Sequence, residues 1–511
     1  MEPIDMSQTP CLPLELIQLI LSCLTPRHLL DASQVCHSWS TIAQRHLHRH
    51  VYIHSNRQLD RWIAALNSSP PSQRRLVRTV TIHPQVHLNL TDGQLVDLCP
   101  WVESFDIGPV QACDLNTMLG KRQSIHPVSW RFLRRLSGYH SHPSIISQHQ
   151  PRLTHLMCSF DDLQHGGFFH HLVDLDVSFG FMAVDVATVL EKVHELTPVL
   201  QSFKIHAHSL THSPLNDMKK PSPLRTLTSL AFYGLASLDP GCYGYLLHKY
   251  PNVTSLHLGF AFDEFYIPMD RPPQRLMDLI AHYTYLDRLA VYFQGANEHV
   301  KQLWPREALA RWIPTSGVRH LDVVYERQTH EQDMLGLAPM ELPLLTLALN
   351  VYNPQSIVDA LGWRQSLETL CLKGYPGFNL DMACLPPQLR VLDLTFATVT
   401  TCHGMPNLQQ LRLTSSKVVG EQWVMPLKVL CLKDVVVESS HTCWDVSSGL
   451  EKVKIDQVSL GAHPIHWLKI HEKTADRDTW YNAHGKSDDD PHHGMASLEL
   501  RCRFVEDVLF S

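Results

Sequence analysis

The sequence predicts an α/β repeat fold: a compact helical head followed by an irregular solenoid of stacked units, each built on one short strand. Three observations lead there. Apolar residues at relative positions 0, +3 and +5 recur from Val77 to Leu450 at a mean step of about 25 residues, a period typical of strand-containing repeats. Ahead of them, the segment Leu12–Leu24 is apolar on nearly every side of a helix. With 44% hydrophobic and 18% charged residues among 511, the chain can bury a large core, so disorder of the whole is excluded.

The same bookkeeping excludes several function classes. No run approaches the roughly 18 apolar residues of a membrane-spanning helix, so an integral membrane protein is not expected. The first ten residues lack a basic stretch before an apolar one, so no secretory signal is expected. The net charge of −7 argues against a chain that wraps nucleic acid, whose footprint is basic. The 34 histidines would cancel much of that charge below about pH 6.5. The 13 cysteines contain no Cys-x-x-Cys pair and read as reduced thiols in the cytoplasm or nucleus rather than as a zinc module.

Residues 1–9 read as a flexible terminus, and the head occupies about 10–50. In Leu12-Pro13-Leu14-Glu15-Leu16-Ile17-Gln18-Leu19-Ile20-Leu21, Pro13 suits the first turn, where its missing N–H costs nothing. Leu16, Ile20 and Leu24 recur at i, i+4 and i+8, Ile17 and Leu21 widen the stripe, and Leu14 and Leu19 carry it round the helix. A short helix this apolar needs cover on two faces, and a small domain supplies only one. A partner protein is the natural source of the other. Thr25 and Pro26 fit the N-cap and first position of a second helix. Leu29, Leu30, Val35, Cys36, Trp39 and Ile42 then follow at the spacings of short helices packed at an angle. Periodicity alone also allows a helical cap that merely closes the array.

Residues 12–43 resemble an F-box. Leu12-Pro13-x-Glu15, the Leu29-Leu30 pair and Val35-Cys36-x-x-Trp39 carry the likeness, with His28 where Asp is common and His37 where Lys or Arg is common. The resemblance implies a module that docks the adaptor of a cullin–RING ubiquitin ligase, while the rest of the chain holds a protein substrate. Its contact residues would be Leu12, Pro13, Leu16, Ile17, Ile20, Leu30, Val35, Cys36 and Trp39, aliphatic anchors for a desolvated groove. Trp39 has an alternative role in the core of the head.

A helical linker is expected over 51–76 and the array over 77–511. The clear copies start at Leu153, Leu172, Leu227, Val253, Leu286, Val318, Leu344, Leu367, Leu389, Leu408, Leu427 and Leu450; weaker ones start at Val77, Val102, Leu133 and Leu200, and Met495-x-x-Leu498-x-Leu500 reads as a last one. One unit, a strand plus a returning helix or loop, cannot bury its apolar face alone, so stacking is required. The array resembles leucine-rich repeats, which implies a horseshoe, with two departures. Steps range from 19 to 33, and the Asn or Cys ladder at +8 is replaced by Gly180, Ala397, Ser416, Val435 and Val458. His206–Pro223, Asp263–Gln274, Glu326–Pro343 and Glu472–Gly494 interrupt the period and read as surface insertions.

No phosphate loop, nucleophile elbow or His-Glu-x-x-His pattern is present, and no catalytic site, cofactor or metal site is assigned. His46 and His50 share one helix face but read as a solvated helix end; Asp488-Asp489-Asp490-Pro491-His492-His493 reads as a solvated loop. Residues flanking the buried leucines would face the concave surface, placing Lys373, Arg412, Lys433, Lys452 and Lys454 there among Asp393 and Asp456. That patch would favour an acidic or phosphorylated protein segment, or be an ordinary solvated face. Tyr233 and Tyr292 are aromatic contacts or packing. The reading is a non-enzymatic substrate receptor of an SCF-type ubiquitin ligase, directing targets to proteasomal degradation; the alternative is a non-degradative scaffold of the same build.

Overall fold

The computed structural model describes residues 13–24, 26–83, 86, 97–107, 131–138, 146–147, 149–180, 183–211, 222–235, 237–238, 240–261, 280, 283–294, 317–325, 345–350, 366–382, 385–401, 405–419, 422–438, 443–446, 449–460, 463–465, 467–473, 477–482, 485–487, 497–502 and 505–510. Two compact units divide the chain: Met1–Gly180 with Thr188–His206, and Phe181–Ala187 with Ala207–Ser511.

The first unit opens with helices α1 (Leu14–Ser22), α2 (Pro26–Ala32) and α3 (His37–Arg49). Their inward faces bury Ile17, Leu21, Leu29, Ala32, Ile42 and Ala43, with Leu24, Trp39 and Leu47 packed at the margin. Helix α3 runs straight into the strand His50–Ile53, which pairs in parallel with Thr79–Ile82. The stretch expected as a helical linker therefore begins inside the sheet. It continues as α4 (Asn56–Ser68), capped by the Ser55 hydroxyl, which accepts the Gln58 N–H at 3.3 Å. Parallel pairing then proceeds through Ser104–Ile107, Arg135–Ser137, His155–Ser159, Asp174–Ser178 and Ser202–His206.

One backbone device recurs from step to step. The N–H groups at +1 and +2 of a unit both donate to the +1 carbonyl of the unit before it: Glu103 and Ser104 to Arg78, Arg134 and Arg135 to Glu103, Thr154 and His155 to Arg134. The weak early copies thus join the same ladder as the clear ones. Their 0 and +3 side chains, Val77 and Val80, Val102 and Phe105, Leu133 and Leu136, are buried.

The second unit repeats the device from Thr254 and Ser255 on Thr228 to Glu451 and Lys452 on Lys428. Its parallel sheet runs from Ser229–Leu235 to Leu450–Asp456 with the +3 residues in phase: Leu230, Leu256, Leu289, Leu321, Leu347, Leu370, Leu392, Leu411, Leu430 and Val453. A large parallel sheet with a buried apolar stripe is compatible with a repeat solenoid.

Of the two expected ways for a unit to return, helix or loop, the late units show no helix: no described residue from 346 onward lies in an α-helix. At position +7 the backbone turns left-handed in four successive units, at Phe396, Ser415, Asp434 and Gln457, with φ of 62°, 47°, 52° and 52°. The kink swings the chain into a second short strand rich in β-branched residues, stacking Thr398, Lys417, Val436 and Ser459 in register. This arc does the work of the missing Asn ladder. The +8 residues Ala397, Ser416, Val435 and Val458 are buried, and Val436 and Ser459 donate their N–H groups to the Ser416 and Val435 carbonyls at 2.9 Å.

The sequence misplaces the last copy. Leu498 and Leu500 are buried, but Ser497–Cys502 pairs with Cys443–Val446 and Trp467–Glu472 in a separate six-stranded sheet. The strand beside Leu450–Asp456 is Val505–Phe510, with Leu450 opposite Val505, Val453 opposite Val508 and Ile455 opposite Phe510. That is the same 0, +3, +5 pattern written in Val, Val and Phe. The residues between hold a hairpin, Trp467–Glu472 antiparallel to Arg477–Asn482, where an insertion loop is expected. The insertions 263–274 and 326–343, most of 206–223, and the end of 472–494 lie outside the described residues.

Candidate functional site

Helix α1 separates its apolar residues by face. Ile17 and Leu21, four apart, point into the bundle at 6% and 0% exposure. Leu16, Leu19 and Ile20 fall within about 100° of one another on the opposite side, by the 3.6-residue turn. They are 46%, 63% and 41% exposed. Leu14, Leu30 and Val35 add exposed apolar surface at 53%, 55% and 65%. Six large aliphatic side chains stand open on α1, α2 and the turn that follows α2, in a bundle whose core holds only six buried residues. Isolated exposed leucines need no explanation, whereas a cluster on one small bundle marks an interaction face.

The expected contact residues distribute unevenly. Pro13, Leu16, Ile20, Leu30, Val35 and Cys36 are exposed. Ile17 is core, so it supports the face from behind rather than forming it. Trp39 is half-buried against the inner cluster and takes the core role left open by its spacing. Leu12 lies outside the described residues, as does Thr25. Leu14 and Leu19, which carry the apolar surface round the helix but were not among the expected contact residues, belong to the exposed set.

The polar candidates carry less. His46 and His50 lie at the end of α3, where burial and then the Arg49 charge lower both imidazole pKa values. No group of three or more His, Cys, Asp or Glu that could hold a metal occurs among the described residues. Asp488–His493 lies outside them.

In the second unit, Lys373, Arg412, Lys433, Lys452 and Lys454 are all exposed on the sheet face opposite the buried leucines. They are not a uniform cationic field. Arg412 stands 4.0 Å from Asp393, and Lys433 is in register with Asp456. Burial raises the Asp393 pKa, against the opposing pull of Arg412 and Lys373. Farther along this face the Tyr233 ring lies 4.5 Å from His257, which stacks on Tyr292 at 4.5 Å and 2°. The Tyr292 hydroxyl donates to Asp322 Oδ2 at 2.7 Å. These tyrosines are packed into a ladder.

Residues 9–54 match the F-box-like family model, which spans the three helices and the first strand. No curated protein matches the chain. The open leucine face therefore lies within the matched segment, and the chain carries an F-box-like domain as its helical head.

Proposed function

We propose that the chain is a substrate-recognition subunit of an SCF-type ubiquitin ligase. The F-box-like head docks the cullin–RING adaptor through Leu14, Leu16, Leu19, Ile20, Leu30 and Val35. The strands form a leucine-rich repeat array that holds a target protein, with Lys373, Arg412, Lys433, Lys452 and Lys454 receiving an acidic or phosphorylated segment. The chain then acts by proximity: other subunits transfer ubiquitin, and the gain comes from the raised effective concentration of target lysines. The observation that carries this reading is the aliphatic face of the head, exposed where an F-box-like module must meet a partner.

Co-purification of the full chain with the ligase adaptor tests it, wild type against Leu16→Asp, Ile20→Asp. Stoichiometric binding that the variant loses while retaining its circular dichroism supports docking by this face. A folded wild type that binds no adaptor sinks the ligase reading. A captured partner whose cellular lifetime is independent of the chain would instead make the molecule a scaffold.

A further inference from the structure

We propose that the strand-entry end of the first unit's sheet is a docking surface for an acidic segment of a partner protein. Position +1 of its first four strands reads Arg49, Arg78, Glu103 and Arg134, joined by the repeated N–H to carbonyl bonds. Glu103, the one acid in this row, is already held by Arg78 at 3.1 Å. Arg135 follows at +2, and Arg131 and Arg152 precede their strands. Arg131, Arg134, Arg135 and Arg152 are exposed, and none forms an ion pair with a carboxylate among the described residues. A chain of net charge −7 thus gathers cations at one end of one sheet.

The cations stand beside an aromatic floor. The guanidinium carbons of Arg75 and Arg78 lie 5.8 and 4.7 Å from the centre of the Trp101 ring, which meets Phe132 at 5.4 Å. Phe132 is 38% exposed. Arginines stacked on an aromatic are already ordered, so less side-chain entropy is lost when they bind an anion. All these cations are arginine, whose planar fork grips carboxylate or phosphate through two parallel bonds. Strands lie about 4.8 Å apart, so five of them span roughly 19 Å, the reach of about six extended residues. The surface fits a short run of acidic residues with an apolar one to rest on Trp101 and Phe132.

A protein segment fits better than a nucleic acid. A long polyanion feels the net negative field of the whole chain, whereas a short segment meets only the local arginines. The inference stands independently of the ligase reading, because it concerns the sheet and not the head's leucines.

Fluorescence anisotropy on the full chain tests it, with three labelled probes: a peptide of Glu-Glu-Leu triplets, the same peptide with phosphoserine for Glu, and a single-stranded oligonucleotide of similar length. The expected result is binding of an acidic peptide that weakens as salt rises through about 0.1 M. The variant Arg131→Glu, Arg134→Glu, Arg135→Glu lowers that affinity about tenfold or more. The milder Arg134→Gln, Arg135→Gln lowers it less, and decides the matter if the charge reversal fails to fold. Arg57→Glu, Arg61→Glu, exposed on α4, leaves it unchanged. Comparison of the two peptides tells carboxylate from phosphate as the preferred anion. Absence of peptide binding by the wild type, an unchanged affinity in a folded variant of Arg131, Arg134 and Arg135, an equal loss in the α4 variant, or tighter binding of the oligonucleotide than of either peptide overturns the proposal.

Discussion

Ser416→Val tests how the late units close their turns without an Asn ladder. The Ser416 hydroxyl, in a side chain 4% exposed, accepts the Ala397 N–H of the preceding unit at 3.1 Å and donates to the Thr414 carbonyl at 2.7 Å. The next two units hold Val435 and Val458 at the equivalent place, at 0% and 3% exposure, so valine fits this arc sterically. The substitution then isolates the polar loss. A buried amide left without a partner costs about 1–3 kcal/mol. Unfolding of a long array is not two-state, so a global midpoint would dilute the effect. Hydrogen exchange of the Ala397 amide reads it locally, and 1–3 kcal/mol corresponds to an acceleration of roughly five- to 150-fold. Exchange unchanged within about twofold, with native circular dichroism, would show that the arc does not depend on this hydroxyl and refute the reasoning.

Three further outcomes concern His149, Tyr292 and the pair Lys433 and Lys454. His149 is 2% exposed, its Nε2 has no hydrogen-bond partner among the described residues, and burial with the Arg152 charge lowers its pKa to about 4. A base depressed in the folded state contributes stability above its unfolded pKa that is lost as pH falls towards 4; the loss is about 3 kcal/mol, so exchange near His149 should accelerate between about pH 6.5 and 4 in wild type and not in His149→Phe. Tyr292→Phe removes the hydroxyl bond to Asp322, both side chains being half-buried, and should cost about 1–2 kcal/mol in local opening, read by exchange across 289–293, with no effect if water already shares that bond. Lys433→Glu, Lys454→Glu should lower capture of an acidic target about tenfold or less, given the acids Asp393 and Asp456 nearby; unchanged capture removes those lysines from the substrate surface.

The leucine period was legible because the core imposes it: each 0, +3 and +5 residue must point inward, and Leu370, Leu392 and Leu411 do so at 0% exposure. What the period cannot distinguish is which strand of a unit it describes. Every strand alternates with period two, so Leu498 and Leu500 mimic a unit start while Val505, Val508 and Phe510, lacking leucine, conceal one. The arcs were hidden for a different reason. Left-handed turns usually announce themselves by glycine, but Phe396, Ser415, Asp434 and Gln457 hold this conformation without it. In the head, apolar excess announced a second apolar face. Its division into Ile17 and Leu21 inside and Leu16, Leu19 and Ile20 outside depends on how α2 and α3 pack, which no spacing within α1 encodes.

The most direct test of the central claim is a calorimetric titration of the ligase adaptor into the full chain and into Leu16→Asp, Ile20→Asp. Covering the remaining half of two aliphatic side chains contributes about 1 kcal/mol each, and the two carboxylates add a desolvation penalty of several kcal/mol. The account predicts tight one-to-one binding with a negative heat-capacity change, weakened by about 100-fold or more in the folded variant. Binding of equal affinity in the two proteins would contradict it.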